Sequence, residues 1–230
     1  MQFKSLKIPI VQKVPIEDAE FGERGEITGG VPKNLNNAVY DDMFKKFAGC
    51  IGMNWQVYKV LAYHESRLNP SAKAEPTRNN PNASATGLFQ VLKGYCEPVL
   101  AKVAWDQYCE NPGRTNPALN TAIVTRGHFP LAINTVKEKC ANASVDDQLH
   151  MLLFNNGSGP GALRKAIDNY GCDMKQWEAH PEIFKAASYS NGVKTVKLMR
   201  DMEVDSLFGP KDTAHCPFNT GEKPSNFPSS

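Results

Sequence analysis

The stretch that decides the fold runs from residue 54 to residue 70 and reads NWQVYKVLAYHESRLNP. Four of its residues recur at steps of three, four and three, which places them on one helical face: Trp55, Tyr58, Ala62 and Glu65. Asn54 can cap the start of this helix, and Pro70 disfavours helical geometry at the residue before it. The pattern therefore predicts a helix over about residues 55 to 67, with one carboxylate in its apolar stripe.

Helical signals continue after this stretch. Asn116-Pro117 is typical of a helix start, and that helix must bend or break near Gly127 and Pro130. Three further helices are predicted from a capping pair and from apolar spacing: one that starts after Ser144, one over 161–170 closed by Gly171, and one over 193–202. Since no alternating strand run appears, we predict a mainly α fold, with a small hairpin or irregular lobe in the polar stretch 69–90.

The two ends of the chain differ from its centre. Prolines and glycines interrupt residues 1–38, which we interpret as an extended arm or linker. Residues 209–230 combine prolines with polar residues and are predicted to form a loosely packed tail. One helical domain is left between them, over residues 39–208.

Composition excludes several classes of protein. The 230 residues carry 26 Lys and Arg against 24 Asp and Glu, without a run of five or more like charges, so we expect no nucleic-acid partner. Six cysteines without a Cys-x-x-Cys pair argue against a metal site and permit either up to three disulfides or free buried thiols. No glycine-rich phosphate loop appears, so no cofactor is expected. Residues 1–20 hold no signal peptide or membrane span.

The chemistry is expected at Glu65. A carboxyl group at the end of an apolar helical face is desolvated, which favours its protonated form and suits it to donate a proton to a glycosidic oxygen. A glutamate near a helix end is also an ordinary solvated or capping residue. The two interpretations are separated by the motifs that follow it.

Four segments carry a family resemblance, in this order: HESRLNP at 64–70, SATGLFQ at 84–90, NPALN at 116–120 and FNNGSGPG at 154–161. Together they resemble the soluble lytic transglycosylase family, whose corresponding motifs are Glu-Ser with a following Asn-Pro, Gly-Leu-Met-Gln, Asn-Pro-x-x-Asn and Tyr-Asn-Ala-Gly-Pro-Gly. The resemblance covers about residues 50–200. It implies a lysozyme-like fold of packed helices with a substrate groove, as in goose-type lysozymes.

The resemblance also implies the site. Glu65 would be the catalytic acid and base, and six residues would bind substrate: Ser66, Ser84, Phe89, Gln90, Asn155 and Tyr189. Ser66 can instead cap the helix end, and Asn155 can hold an acetamido group, orient Glu65 or simply end its helix. Phe89 replaces the motif's methionine as an apolar filler. Tyr189 stands in a segment, 188–193, that departs from the family's Glu-Thr-Arg-x-Tyr-Val.

The number of carboxylates bears on the reaction. Many glycosidases use two, but here Glu75 and Asp106 lie in a loop and a helix start that favour solvated roles. With Glu65 alone, the resemblance implies that peptidoglycan is cut between N-acetylmuramic acid and N-acetylglucosamine with formation of a 1,6-anhydromuramyl end. The alternatives are a hydrolytic muramidase on the same fold and an inactive wall-binding subunit.

Such an enzyme must reach the periplasm or the cell wall. Because we find no export signal, we expect delivery by a bacteriophage virion, by a holin that releases an endolysin, or by a secretion machine. The arm over 1–38 would then dock onto a virion or secretion-machine protein.

Overall fold

The computed structural model describes residues 31–74, 84–180 and 186–219. The chain order of its α-helices is α1 Asp41–Ile51, α2 Trp55–Ser66, α3 Lys93–Leu100, α4 Asn111–Arg114, α5 Pro117–Arg126, α6 His128–Lys139, α7 Val145–Ser158, α8 Pro160–Tyr170, α9 Met174–Glu178 and α10 Ala186–Asp201. In this part of the chain, β-structure is limited to isolated bridges. The predicted mainly α fold is confirmed.

Helix α2 has the predicted start and a different stop. The Asn54 side chain accepts a hydrogen bond from the Gln56 amide and caps the helix, as expected. Arg67 and Leu68 then adopt left-handed backbone conformations, with φ of 58° and 62°. The helix ends at Ser66 because two successive left-handed residues cannot continue it, before Pro70 has any effect.

An aromatic cluster forms the centre of the core. The ring of Tyr58, in the middle of α2, lies 5.2–6.2 Å from those of Phe44, Phe89 and Phe129, measured between centroids. The Tyr58 hydroxyl is 3.1 Å from Thr125 Oγ1, so its one polar atom is satisfied. This cluster joins α1, α2, α6 and the loop after residue 84 into one core.

The predicted breaks and caps of the later helices are largely confirmed. Asn116 caps α5 through the Leu119 amide, and Ser144 caps α7 through the Asp147 amide. The chain breaks at Gly127, where an added Cβ would lie 1.7 Å from the Tyr95 hydroxyl.

The observed start of helix α10 differs from the predicted start. The helix begins at Ala186 and not at residue 193, so the segment over 188–193 is helical.

A small irregular lobe follows α2, as predicted for residues 69–90. Lys73 pairs with Thr86, and Thr86 pairs with Val91, in isolated antiparallel bridges. The Gly87 amide donates to the Ala72 carbonyl at 2.8 Å. The stretch 75–83 lies outside the described residues, and the rest is held close to the end of α2.

Residues near both ends of the described chain pack on the core. Leu35, assigned to the arm, is 1% exposed and belongs to the core. In the described part of the tail, residues 210–215 are exposed, but the segment is anchored to α1: the Asp212 amide donates to the Gly49 carbonyl at 2.8 Å, and the Phe218 ring lies 5.8 Å from that of Phe47. These apolar contacts hold the segments on the core, although their prolines and glycines favour an irregular backbone. Residues 1–30 and 220–230 lie outside the described part.

The six cysteines form three disulfides: Cys50–Cys216, Cys96–Cys109 and Cys140–Cys172. The choice between disulfides and free thiols, which the sequence left open, is therefore decided in favour of disulfides. The first of them ties the tail to α1 across 166 residues of chain. No helix in the described segments is long and apolar enough to cross a membrane.

Candidate active site

Glu65 lies in the last turn of α2 with its side chain half-buried. Asn156 lies in the last turn of α7, and its Nδ2 donates a hydrogen bond to Glu65 Oε1 at 2.9 Å. Two helix ends that are 91 residues apart in sequence thus meet at this carboxyl group. Glu65 stays partly accessible to solvent at this junction.

The two residues beside Glu65 fix the end of α2. Ser66 is 8% exposed, and its Oγ donates to the Ala62 carbonyl at 2.9 Å, as a serine at a helix end commonly does. His64 Nδ1 lies 2.8 Å from Thr195 Oγ1 on α10. When the Thr195 hydroxyl donates to the Asn191 carbonyl, it accepts from a protonated His64 Nδ1. A substrate contact by Ser66 stays a prediction.

Asn155 is placed differently from its neighbour. It is 0% exposed, and its Nδ2 donates to the His128 carbonyl at 3.4 Å, which joins the end of α7 to the start of α6. The contact with Glu65 that we considered for Asn155 is made by Asn156. The sequence gives one sign of this role: Asn156, a polar residue, stands where the family motif has alanine.

The Gln90 side chain forms hydrogen bonds within the small lobe, one of them to the segment that follows Glu65. Its Nε2 donates to the Gly87 carbonyl at 3.0 Å and to the Ala72 carbonyl at 3.3 Å. Its backbone is left-handed, with φ of 49°. The amide nitrogen therefore braces the loop, while substrate recognition by the remaining amide oxygen stays a prediction.

Two residues hold this loop in place: Asn120, which the sequence placed in a motif without a role, and Arg114, which sequence reasoning missed. Asn120 is fully buried: its Oδ1 accepts from the Phe89 amide at 2.7 Å, and its Nδ2 donates to the Thr86 and Arg114 carbonyls. The buried Arg114 guanidinium donates to the Ser84 and Val91 carbonyls at 2.8 and 3.0 Å. All of these are contacts to backbone groups, so a residue pattern alone gave little sign of them.

Phe89 and Ser84 need separate placement. The Phe89 ring is 3% exposed and packs edge-on against Tyr58 and Phe129, so it fills the core and does not face a groove. A substrate contact by Phe89 stays a prediction. Ser84 is exposed at the edge of the lobe, where its carbonyl accepts from Arg114.

Tyr189 lies at the α7–α10 interface. Its ring is 4.9 Å from that of His150. Burial raises the pKa of Tyr189, and the negative charges of Glu178, Asp147 and Asp173 raise it further, so the phenol stays protonated. Phe154, which lacks the hydroxyl of the motif's tyrosine, packs edge-on against Trp177 at 5.2 Å in the core. A substrate contact by Tyr189 stays a prediction.

A cleft of about 700 Å³ opens beside the small lobe. Amide, hydroxyl and lysine side chains contribute to its lining, which consists of Asn69, Ser71, Ala72, Lys73, Asn111, Pro112 and Thr115. Neither Glu65 nor Asn156 is among the lining residues. In the described ranges, no three His, Cys, Asp or Glu side chains converge on a point where a metal ion could bind.

The arrangement of helices defines a class of fold. Packed helices around α2, an irregular lobe directly after it and a carboxylate at the junction are the lysozyme-like fold of lytic transglycosylases. The 70 kDa soluble lytic transglycosylase of Escherichia coli matches it with a TM-score of 0.51 at 17% sequence identity, over 84% of this chain. The chain matches 26% of that enzyme's length. Neither the family models nor the curated proteins match this sequence.

Proposed function

We propose that this protein is a peptidoglycan lytic transglycosylase in which Glu65 is the acid and base. The observation that carries the proposal is the half-buried Glu65 carboxyl, held by Asn156 where α2 and α7 end. The shared fold supports it, since the neighbour's name describes a lytic transglycosylase. The substrate would be the β-1,4 link between N-acetylmuramic acid and N-acetylglucosamine.

The reaction follows from a single carboxyl group. Protonated Glu65 would give its proton to the leaving glycosidic oxygen, while the substrate's acetamido oxygen stabilises the positive sugar carbon. The resulting carboxylate would then take the proton of the muramyl 6-hydroxyl, which closes the 1,6-anhydro ring. Of the other carboxylates considered, Asp106 is exposed in a short 3-10 turn, and Glu75 lies outside the described residues.

The disulfides support a place of action outside the cytoplasm. Three disulfides persist in an oxidising compartment such as the periplasm, where peptidoglycan is found. We further propose delivery by a virion, a holin or a secretion machine, with the N-terminal arm as the docking segment. A holin or tail-protein gene beside this one would support that route.

The first test is Glu65→Gln. The amide is nearly isosteric but cannot transfer the proton, so lysis of cell walls should fall by about a hundredfold to ten-thousandfold. Glu138→Gln, an exposed change on α6, is the matched control and should keep wild-type activity. Thermal melts check that both variants fold. Near-wild-type clearing by Glu65→Gln would refute the proposed role of Glu65.

The second test is the product. A hydroxyl held on the same sugar can have an effective molarity on the order of 10⁵ M, so it should outcompete water in the second step. Muropeptides released by the enzyme should then be lighter by one water, about 18 Da, than hydrolysis products, because ring closure adds no solvent. Mass spectrometry without borohydride reduction measures this. Reducing muramic-acid ends as the main product would instead identify a muramidase.

A further inference from the structure

The contact between Asn156 and Glu65 goes beyond the family resemblance. The donor–acceptor distance of 2.9 Å is that of a normal N–H···O hydrogen bond, and both side chains are half-buried. In the motif that residues 154–161 resemble, alanine stands where this chain has Asn156. The donor is therefore a feature of this chain.

Both ends of the contact are held in place. On α7, the neighbouring Asn155 is buried and bonded to the His128 carbonyl, and the Gly159 amide closes the helix onto the Asn155 carbonyl at 2.7 Å. On α2, the Arg67 amide closes the helix onto the Tyr63 carbonyl at 2.9 Å. Because both helix ends are closed by these bonds, the backbone positions that carry Asn156 and Glu65 are fixed relative to their helices.

The chemistry of the contact selects one oxygen. An amide nitrogen only donates, so Glu65 Oε1 must be the acceptor, and in the protonated acid the acceptor oxygen is the one without the proton. The transferable proton then resides on Oε2. After transfer the same amide bonds a carboxylate, and hydrogen bonds to a charged group are the stronger ones.

We infer that Asn156 is a positioning residue that orients the Glu65 carboxyl and directs its proton to Oε2. This inference rests on the proposed acid and base role of Glu65. Asn156 acts through Glu65 and need not touch the substrate. Its removal should therefore lower kcat and leave KM nearly unchanged.

The test is Asn156→Ala, with kcat and KM measured on soluble glycan strands. Loss of one hydrogen bond to a charged group should lower kcat roughly tenfold to a hundredfold, with KM within about twofold of wild type. Asn169→Ala, an exposed asparagine in the last turn of α8, is the matched control and should match wild type. Wild-type kcat in Asn156→Ala beside an inactive Glu65→Gln would overturn this inference alone, whereas an active Glu65→Gln would overturn the proposed function and this inference together.

A second variant, Asn156→Asp, separates positioning from folding. Aspartate is nearly isosteric, but two carboxyl groups at hydrogen-bond distance share a proton, which raises the upper pKa of the pair. The high-pH limb of the kcat profile should move to higher pH, a shift that a structural role alone would not produce. A wild-type profile would overturn the inference. The titratable residues next to Glu65 in the chain, His64 and Arg67, stay unchanged in this variant.

Discussion

Gln90 combines two features that a sequence pattern does not show together. Its backbone is left-handed, which costs a residue with a Cβ about 1–2 kcal/mol, and its side-chain nitrogen braces the loop at Gly87 and Ala72. The side chain is thus retained at a position that suits glycine. This is expected where the amide serves the site.

The comparison of Gln90→Ala with Gln90→Gly tests this. Both variants lose the amide, and turnover should fall by roughly twofold to tenfold, which is less than for Glu65→Gln, because a neutral hydrogen bond is worth about 0.5–1.5 kcal/mol. Glycine relieves the backbone cost, so Gln90→Gly should melt at a higher temperature than Gln90→Ala. Unaltered turnover in both would make Gln90 a packing residue.

At the scale of elements, helix α5 holds the loop that precedes Gln90 through the side chain of Asn120. Asn120 satisfies three backbone groups of the buried loop and turn, at Phe89, Thr86 and Arg114. Gly87 is required beside it, because a Cβ there would lie 2.4 Å from Asn120 Nδ2 and the backbone has φ of 79°. The loop and the helix therefore form one unit.

Asn120→Ala should break this unit. The Phe89 amide would lose its partner, and the Thr86 and Arg114 carbonyls would each lose a donor, although Thr86 keeps the Val91 amide. The free energy of unfolding should therefore fall by about 2–4 kcal/mol. Asn134→Ala, an exposed asparagine on α6, should change it by less than about 0.5 kcal/mol. Urea denaturation measures both. An equal, small effect of the two variants would contradict the bracing role.

The buried His150 at the α7–α10 interface leads us to expect that the stability of the protein depends on pH. His150 is 4% exposed against Gly192, and burial lowers its pKa from 6.5 to about 4, an effect that the Asp147 charge opposes. Because the unfolded state binds the proton more readily, the stability from the neutral imidazole is complete above about pH 6.5 and is lost as the pH falls toward 4.

His150→Leu tests this dependence. Between about pH 7.5 and pH 5, the wild-type protein should lose up to about 2 kcal/mol of its free energy of unfolding through this histidine. The variant should lose correspondingly less over the same range. Urea titrations at the two pH values decide it, and an identical pH dependence of both proteins would assign the effect to other groups.

At the scale of the whole molecule, the Cys50–Cys216 disulfide closes the longest loop. It spans 166 residues, against 13 for Cys96–Cys109. In the chain-entropy account, the long loop contributes about 4–5 kcal/mol and the short one about 3 kcal/mol. The Cys50→Ala/Cys216→Ala pair should therefore lower the melting temperature more than the Cys96→Ala/Cys109→Ala pair. Calorimetry ranks them, and the reverse order would show that strain or packing governs the effect.

The sequence by itself determined the features that act over a few residues. The caps at Asn54, Asn116 and Ser144 and the apolar stripe of α2 are read from neighbouring positions, because a cap or a helical face depends on residues within one or two turns. These features were enough to predict a mainly α fold, whereas the choice of Glu65 as the candidate acid also needed the four ordered motifs of the family resemblance.

Only the tertiary structure decided which distant groups meet. Adjacent residues on a helix point about 100° apart, so the packing of α7 on α6 and α2 determined that Asn156 and not Asn155 contacts Glu65. Six cysteines allow 15 pairings, and the docking of the tail on α1 selected Cys50–Cys216. The burial of Phe89 was also decided by the tertiary structure, because its ring packs against Phe44 and Phe129, which are far from it in sequence.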